Sequence, residues 1–423
     1  MASEKNSKKA NKQKFKRPNR FVWFLYRIFC RIMMLFGTKK LKIDRKVLKT
    51  RNKNEGAIVI YNHTCNKDQY ISGLTAGRER LTYVVSRYYM LVPVISTTLK
   101  IVRAIPKEQF RSDLASIRRM KRATDNKGVL CIAPAGQTTL HGEMPYVDPS
   151  IVKLLKLCKV DVYNIKIEGG YLNYPKWRKN KKAHKTIIKS TTGKVLTKEE
   201  IASLSDQEVY QKIVDALNVS DHVYREENNY KIKSKHIIEG LENALYVCPK
   251  CHAKYKHESK NNIMTCESCG NTIYMNNVGA INPVNTDDVC FKNESEWYNW
   301  QGTLIKERYL KDDFSQVNEF ILYTKDEETE KMKEAGRGVL TLTKEVLYYD
   351  GTCNGETIHK DFNLDVLTQL PFTPAHHFEI PDGDGIYQFR PIDNTCLIVE
   401  WVQIIDVISE IKRSNIWLKT IKY

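Results

Sequence analysis

The feature that most constrains the fold of this 423-residue chain is a regular alternation of short apolar runs with helical stretches. The apolar runs span residues 57–61, 81–86, 101–105, 129–133 and 160–167. Strands that alternate with helices of this length are typical of an α/β layer with a largely parallel sheet. The sequence therefore predicts an α/β domain, a mostly parallel sheet flanked by helices, over residues 41–245. Residues 184–195 are predicted to add a further strand pair.

A second unit, predicted over residues 246–275, carries two Cys-x2-Cys pairs. They are Cys248-Pro-Lys-Cys251 and Cys266-Glu-Ser-Cys269. Four thiolates at this spacing suit tetrahedral zinc, and an all-thiolate site leaves no open position for catalysis. We therefore expect a zinc ribbon with a structural zinc ion. Three lysines lie between the pairs, but the aromatic pattern is sparse, so nucleic acid is an unlikely partner.

The remaining seven of the eleven cysteines stand singly and do not form a disulfide pattern. That distribution favours a reducing compartment.

Residues 290–423 show strand character around the turn signals Asp350-Gly351 and Asp382-Gly383, followed by helical spacing from Thr395 to Arg413. The sequence predicts a mainly β domain closed by one terminal helix, which resembles a pleckstrin-homology or GRAM-like barrel.

The charge of the chain is strongly asymmetric. The formal net charge is +19, with 53 Lys/Arg against 24 Asp/Glu in residues 1–275 and 15 against 25 in residues 276–423. An excess of positive charge indicates an anionic partner, which could be nucleic acid, acidic lipid headgroups, acyl-CoA or an acidic carrier protein. The asymmetry suggests that the first part of the chain meets that partner.

The N-terminal region combines a basic tail, residues 1–20, with an apolar run over residues 21–36. Arg27 and Arg31 interrupt the run, which is shorter than the roughly 20 apolar residues that a membrane span requires. We expect residues 21–40 to form an amphipathic helix that lies on a membrane surface. The alternative is a helix packed on the protein's own core.

His63 and Asp68 form the pattern most suggestive of catalysis. His63 follows an apolar strand, and Asp68 stands five residues later at a predicted helix start. Histidine ionises near neutral pH and can act as a general base, while a carboxylate can fix its tautomer and stabilise the imidazolium. The alternative is that Asp68 merely caps the following helix.

The surrounding segments resemble the motifs of the glycerophospholipid, or lysophosphatidate, acyltransferase superfamily over about residues 21–245. Asn62-His63-x4-Asp68 resembles the first motif, residues 101–109 the second, Ala133-Pro-Ala-Gly-Gln-Thr138 the third, and residues 160–169 fill the place of the fourth. The resemblance implies an enzyme that uses His63 and Asp68 to transfer a fatty acyl group from acyl-CoA or acyl carrier protein to a lysophosphatidate-like acceptor. The amphipathic N-terminal helix and the single cysteines predict a peripheral location on the cytoplasmic face of the membrane.

The second and third motifs depart from the family pattern. Gln109 and Thr138 stand where the family has arginines, and Ala135 replaces a glutamate. Glutamine lacks the charged fork with which arginine holds a phosphate, so these replacements weigh against lysophosphatidate as the acceptor. The substrate-binding residues that the resemblance implies, with nearby cations that could substitute, are Asn62, Arg103, Lys107, Gln109, Arg111, Pro134, Gly136, Gln137 and Thr138. Those cations could equally form a solvated surface.

Two alternatives remain open at this point. The acceptor could be another hydroxyl lipid, such as a glycolipid, an ether lipid or an amino lipid. The altered third motif also allows a catalytically inactive adaptor that only binds lipid, whereas the presence of His63 and Asp68 favours an enzyme.

Overall fold

The structure, a computed structural model, describes residues 15–91, 93–108, 113–180, 182–228, 231–326, 328–329, 331–382 and 385–420. The helices are α1 (Arg20–Gly37), α2 (Lys46–Lys49), α3 (Asp68–Ala76), α4 (Pro93–Ile101), α5 (Leu114–Asp125), α6 (Ser150–Cys158), α7 (Gly170–Asn173), α8 (Lys198–Ser203), α9 (Asp206–Leu217), α10 (Asp221–Asn228), α11 (Glu294–Leu310) and α12 (Leu397–Thr420). Short 3-10 turns cover Arg87–Leu91 and Leu241–Asn243.

The strands fall into three sheets. The first contains β1 (Lys40–Ile43), β2 (Ala57–Tyr61), β3 (Leu81–Ser86), β4 (Ile105–Lys107), β5 (Val129–Ile132), β6 (Val162–Glu168) and β7 (Ile187–Leu196). The second contains β8 (His257–Lys260), β9 (Ile263–Cys266), β10 (Thr272–Met275) and β11 (Ile281–Pro283). The third contains β12 (Gln316–Lys325), β13 (Met332–Leu342), β14 (Leu347–Cys353), β15 (Glu356–Phe362), β16 (Phe372–Thr373), β17 (His377–Asp382) and β18 (Gly385–Pro391).

The first sheet has the order β1-β7-β6-β2-β5-β3-β4. Strands β6, β2, β5, β3 and β4 pair in parallel, and only the β6–β7 pair is antiparallel. The prediction of a mostly parallel α/β sheet is therefore confirmed. Every residue of the central strand β2 is buried, as expected for a strand covered on both faces. The predicted strand pair at residues 184–195 was wrong, because this segment forms the single strand β7.

The third sheet is antiparallel throughout, with the order β15-β14-β13-β12-β18-β17-β16. Helix α12 closes it by packing Trp401, Val402 and Ile405 against strand residues such as Phe320 and Phe378. A β-rich region that ends in a helix was predicted, and the structure has one. The likeness to a pleckstrin-homology or GRAM-like barrel stays a prediction.

The three sheets are joined by a shared apolar core. It contains Tyr171 and Trp177 after the first sheet, Tyr246 and Met264 from the four-cysteine unit, Trp297 from α11, and Val399 from α12, which packs on the third sheet. Trp297 is fully buried, and its indole N–H donates to the carbonyl of Val247 at 2.9 Å. The four-cysteine unit is therefore packed between the two larger parts of the chain. The predicted boundaries at residues 41, 246 and 290 stay predictions.

Helix α1 is apolar on two faces. Asn19 caps its start by accepting from the N–H of Phe21 at 2.8 Å. One face, with Trp23, Tyr26 and Cys30, is buried against the first sheet and α3. The other face leaves large apolar side chains exposed, which are Phe21, Phe24, Leu25, Ile28, Phe29, Ile32, Leu35 and Phe36. Among the described residues, no helix has the length and hydropathy needed to cross a bilayer.

Candidate active site

The candidate site lies at the carboxyl end of β2, where the loop that carries His63 leaves the parallel sheet. Asn62 fixes the beginning of this loop. Its buried side-chain amide donates to the carbonyl of Ile167 at 2.7 Å, and its amide oxygen accepts from the Ile167 N–H at 2.7 Å. Asn62 therefore joins β2 to β6 beside the site, and its predicted substrate-binding role remains untested.

His63 and Asp68 are in direct contact. The ring Nδ1 of His63 is 2.8 Å from Oδ2 of Asp68, so the ring presents Nε2 to any substrate. The side chain of His63 is 21% exposed, whereas that of Asp68 is fully buried. A buried carboxylate that accepts from Nδ1 holds the neutral ring in the tautomer whose Nε2 can take a proton. The pair has the geometry of a general base with its orienting acid.

Asp68 does not act as the cap of α3. Lys67 occupies the cap position, and its side chain makes no capping hydrogen bond. The Asp68 carboxylate instead turns back to the preceding loop, where it accepts from the N–H of Thr64 at 2.6 Å and of Cys65 at 2.9 Å. The Thr64 hydroxyl adds a bond of 2.9 Å. These bonds fix the carboxylate towards His63, which removes the simple capping interpretation.

The buried His184 differs from His63 in accessibility. Its side chain is enclosed, and burial lowers its pKa to about 3. His184 therefore stays neutral and lacks the open ring nitrogen that a base for an incoming substrate requires.

The loop after β5 lies next to the pair. The N–H of Thr139 donates to the carbonyl of His63 at 3.0 Å, which links this loop to the one that carries His63. Gly136 has φ of +72°, a left-handed conformation that favours glycine, and its N–H donates to Ala133 at 3.1 Å. Among the described residues, none accepts a hydrogen bond from the N–H of Gln137 or Thr138. Pro134 begins the turn after β5, which pairs in parallel with β2, so this segment lies at the same edge of the sheet as His63.

The predicted cations are split between the two ends of β4. Lys107 lies at the carboxyl end, on the same sheet edge as His63, and burial lowers its pKa. Arg103 lies before the amino end, is exposed, and donates to the carbonyl of Lys16 at 3.3 Å. The structure therefore does not bring Arg103 to the pair. Gln109 and Arg111 lie outside the described residues.

Sequence reasoning missed Asp221 and Thr139. Asp221 is fully buried, and burial raises its pKa to about 7. The Asp68 charge adds to that shift, which places the two carboxylates in the same region. No local pattern marks Asp221, because its partners follow β6 and come much earlier in the chain.

The four predicted metal ligands come together in the second unit. The sulfur of Cys248 is 3.7 Å from that of Cys269, and the sulfur of Cys251 is 3.8 Å from that of Cys266. All four sulfurs lie within 4.8 Å of one another. Four sulfurs around one zinc ion at about 2.3 Å would lie roughly 3.8 Å apart. The donor set and its spacing fit tetrahedral zinc.

One of three comparisons with known proteins, a match to a family model, spans this site. Residues 42–168, which include His63 and Asp68, match the family model described as Acyltransferase. Among solved structures, the chain resembles the 1-acyl-sn-glycerophosphate (LPA) acyltransferase PlsC from Thermotoga maritima, at 13% identity and a TM-score of 0.40. That match covers 49% of this chain and 80% of the other. A comparison with curated proteins gave no match. The family match supports acyl transfer as the general activity.

Proposed function

We propose that this chain, with its acyltransferase segment at residues 42–168, transfers a fatty acyl group from an acyl thioester to a lipid hydroxyl at a membrane surface. The donor is acyl-CoA or acyl carrier protein, and the acceptor is a lysophosphatidate-like lipid. The observation that carries the proposal is the contact of 2.8 Å between His63 Nδ1 and the buried Asp68 carboxylate, with the ring partly exposed.

The proposed reaction needs no covalent enzyme intermediate. His63 Nε2 removes the proton from the acceptor hydroxyl, and the oxygen attacks the thioester carbonyl. The tetrahedral intermediate then collapses, the C–S bond breaks, and the leaving thiolate takes the proton from the imidazolium. The N–H groups of Gln137 and Thr138 are candidates to stabilise the oxyanion, because no described residue occupies them. The products are an ester and a free thiol.

The phosphate of the acceptor would meet cations at the carboxyl edge of the first sheet. Lys107 supplies a cation at the sheet edge that carries His63, and Arg87 lies beside it, paired with Glu108 and 3.9 Å from Asp113. These side chains could hold a phosphate in place of the arginines that the family has at positions 109 and 138. A phosphorylated acceptor therefore remains the proposed substrate.

Membrane attachment is assigned to α1. Its outward face carries the exposed Phe21, Leu35 and Phe36, whose side chains are 66%, 70% and 78% exposed. A contiguous apolar face of this kind marks an interaction surface. The exposed Arg20, Arg31 and neighbouring lysines would add attraction to anionic lipid. We propose a peripheral location on the cytoplasmic face, consistent with the scattered free cysteines.

Structural zinc is the proposed metal of the four-cysteine unit. Cys248 and Cys266 are buried, whereas Cys251 and Cys269 face outward. The ion would cross-link the two Cys-x2-Cys turns and stabilise a small sheet that has little core of its own. It would take no part in the reaction, since four thiolates leave no open position.

The test of the activity is release of free thiol by the purified full chain, supplied with acyl-CoA and lysophosphatidate in mixed micelles. We expect turnover by the wild type and loss of at least about 1,000-fold in His63→Ala. The matched control is His359→Ala, because His359 also pairs with an aspartate, Asp350, but on the exposed face of the third sheet. Activity in His63→Ala equal to wild type would overturn the proposal.

The acceptor is tested in the same assay by replacing lysophosphatidate with monoacylglycerol, a lysoglycolipid or a lyso-amino-lipid. We expect kcat/KM to be highest for the phosphorylated acceptor and to fall in Lys107→Ala for that acceptor alone. Turnover of uncharged acceptors alone would support the catalytic role of His63 and contradict the proposal of a phosphorylated acceptor. Absence of turnover with every acceptor and donor would favour the lipid-binding adaptor.

A further inference from the structure

Asp221, the first residue of α10, uses both carboxylate oxygens to hold the turn after β6. Oδ1 accepts from the N–H of Gly169 at 2.8 Å, and Oδ2 accepts from Tyr171 at 2.8 Å and Leu172 at 3.4 Å. Gly169 has φ of +83° and makes the sharp bend possible. The carboxylate is fully buried. The position of this turn is therefore set by one side chain from outside the segment that matches the acyltransferase family.

The turn packs directly against Thr64 and Cys65, whose N–H groups donate to Asp68. A Cβ atom built on Gly170 would lie 2.0 Å from Oγ1 of Thr64 and 3.5 Å from Sγ of Cys65. Thr64 in turn gives both its hydroxyl and its N–H to Asp68. The backbone at Gly170 therefore packs directly against Thr64, which donates two hydrogen bonds to Asp68. A shift of this backbone would allow Thr64 to move and would weaken the hydrogen bonds that orient the Asp68 carboxylate towards His63.

A second route runs through the backbone of Asp221. Its N–H donates to the carbonyl of Gly142 at 2.9 Å. The N–H of Gly142 donates to Oγ1 of Thr139 at 3.0 Å, and the N–H of Thr139 donates to the carbonyl of His63 at 3.0 Å. Asp221 therefore lies where two chains of contact meet, one leading to Asp68 and the other to His63.

We infer that Asp221 is a positioning residue for the His63–Asp68 pair, which it holds in register through the Gly169–Leu172 turn and the Gly142–Thr139 loop. This inference rests on the proposed function, because it concerns the same pair. Asp221 touches neither substrate nor the reacting atoms. Its effect is geometric, and a misplacement of about 1 Å in a catalytic group can cost about 100-fold in rate.

The test is Asp221→Asn, which keeps the size of the side chain but replaces one acceptor oxygen with an NH₂ group. That group would face a backbone N–H, so one side of the turn must move. We expect kcat to fall about 10- to 100-fold, with KM for the acyl donor within about threefold of wild type. The NMR resonance of the His63 Nδ1 proton should also shift, which a loss of global stability alone would not produce.

The matched control is Ile213→Ala on α9, a buried residue that lies on neither route. It should lower the melting temperature while leaving kcat and the His63 resonance as in wild type. A wild-type kcat in Asp221→Asn, or an equal loss of kcat in Ile213→Ala, would overturn the inference. If Asp221→Asn cannot be purified folded, Thr139→Val tests the second route by removing the acceptor of the Gly142 N–H. There an about tenfold loss is expected, and an unchanged kcat overturns the inference.

These outcomes can be distinguished from a failure of the proposed function. An inactive wild type, or an active His63→Ala, contradicts the acyl transfer itself. A wild type that depends on His63 but not on Asp221 contradicts only the positioning role.

Discussion

At the scale of single residues, the Asp68 carboxylate has more bonds than an orienting acid requires. It accepts from His63, from two backbone N–H groups and from the Thr64 hydroxyl, and the Cys65 thiol lies 3.3 Å from Oδ1. Several donors around one buried carboxylate remove its freedom to rotate. The loop between His63 and Asp68 is therefore a preorganised unit.

The first prediction concerns Asp68→Asn. The substitution keeps the shape but places an amide where the ring Nδ1 and two backbone N–H groups need an acceptor, so the ring tautomer is no longer fixed. We expect kcat to fall about 10³- to 10⁴-fold, as for loss of the aspartate in other His–Asp pairs. The assay is steady-state thiol release, with Asp350→Asn as the control because Asp350 pairs with His359 on the exposed face of the third sheet. A loss of less than about tenfold would contradict the orienting role.

At the scale of elements, α1 combines a buried face and an exposed apolar face on one helix. The sequence left open whether this segment binds a membrane or packs on the core. In the structure Trp23 and Cys30 are buried, while Phe24 and Leu35 are exposed, so core packing of one face leaves the other available. Binding to lipid therefore needs no rearrangement of the helix.

The second prediction is that Phe24→Glu/Leu35→Glu detaches the protein from vesicles. Insertion of each apolar side chain contributes about 1.5–3 kcal/mol, so the pair of changes should lower the partition coefficient by at least about 100-fold. The measurement is co-sedimentation with phosphatidylglycerol vesicles, compared with phosphatidylcholine. Val366→Glu, in an exposed loop of the third sheet, is the control. Equal binding by the double variant would show that α1 is not the attachment surface.

The third prediction concerns Asp406 on α12. Its buried Oδ1 has no hydrogen-bond partner among the described residues, and burial raises its pKa to about 7, against the opposing charges of Arg413 and Lys176. Between about pH 4 and 7 the folded state keeps a proton that the unfolded state has lost, so the free energy of unfolding falls as pH rises, then levels off above about pH 7.

Asp406→Asn should remove the contribution of Asp406 to this slope and gain stability relative to wild type, by on the order of 1 kcal/mol or more at pH 8 and little at pH 4. Urea unfolding at pH 4, 6 and 8 measures the difference. Asp365→Asn, an exposed residue paired with Lys412, serves as the control. A difference between variant and wild type that does not grow with pH would contradict the buried-acid interpretation.

The elements that sequence could predict are those whose partners are close in the chain. The β–α alternation from Ala57 to Ile167 predicted the parallel core of the first sheet, because each crossover is local. The run at residues 101–105 was placed wrongly, since Ile101 ends α4 and the strand β4 covers Ile105–Lys107. Strand β1 escaped prediction since Lys40–Ile43 is short, half exposed and pairs with the distant β7. The contact of His63 with Asp68 follows from their spacing, whereas Asp221 reaches the pair only through the tertiary fold.

At the scale of the whole molecule, the four-cysteine unit connects the two larger parts of the chain, and we call this connection the joint. Lys254 and Tyr255 of that unit bind Glu400, a buried residue of α12, and the Tyr246 hydroxyl donates to Gln403 at 3.0 Å. Glu294 at the start of α11 accepts from Tyr171 at 3.2 Å, in the turn that Asp221 holds. The C-terminal part is therefore connected to the candidate site through buried polar contacts as well as through the shared core.

The fourth prediction follows from this joint. If zinc organises the Cys248–Cys269 unit, its removal exposes Tyr246 and Trp297 and leaves Glu400 without Lys254, so both larger parts lose contacts together. We expect about one zinc ion per chain, and a chelator should lower the temperature of a single cooperative transition by at least about 5 °C, with loss of acyl transfer. Calorimetry and metal analysis of wild type and Cys251→Ser measure this, with Cys290→Ser as the control. A small separate unfolding transition after chelation, with acyl transfer intact, would contradict this prediction. The apolar core would then hold the two larger parts together without the metal.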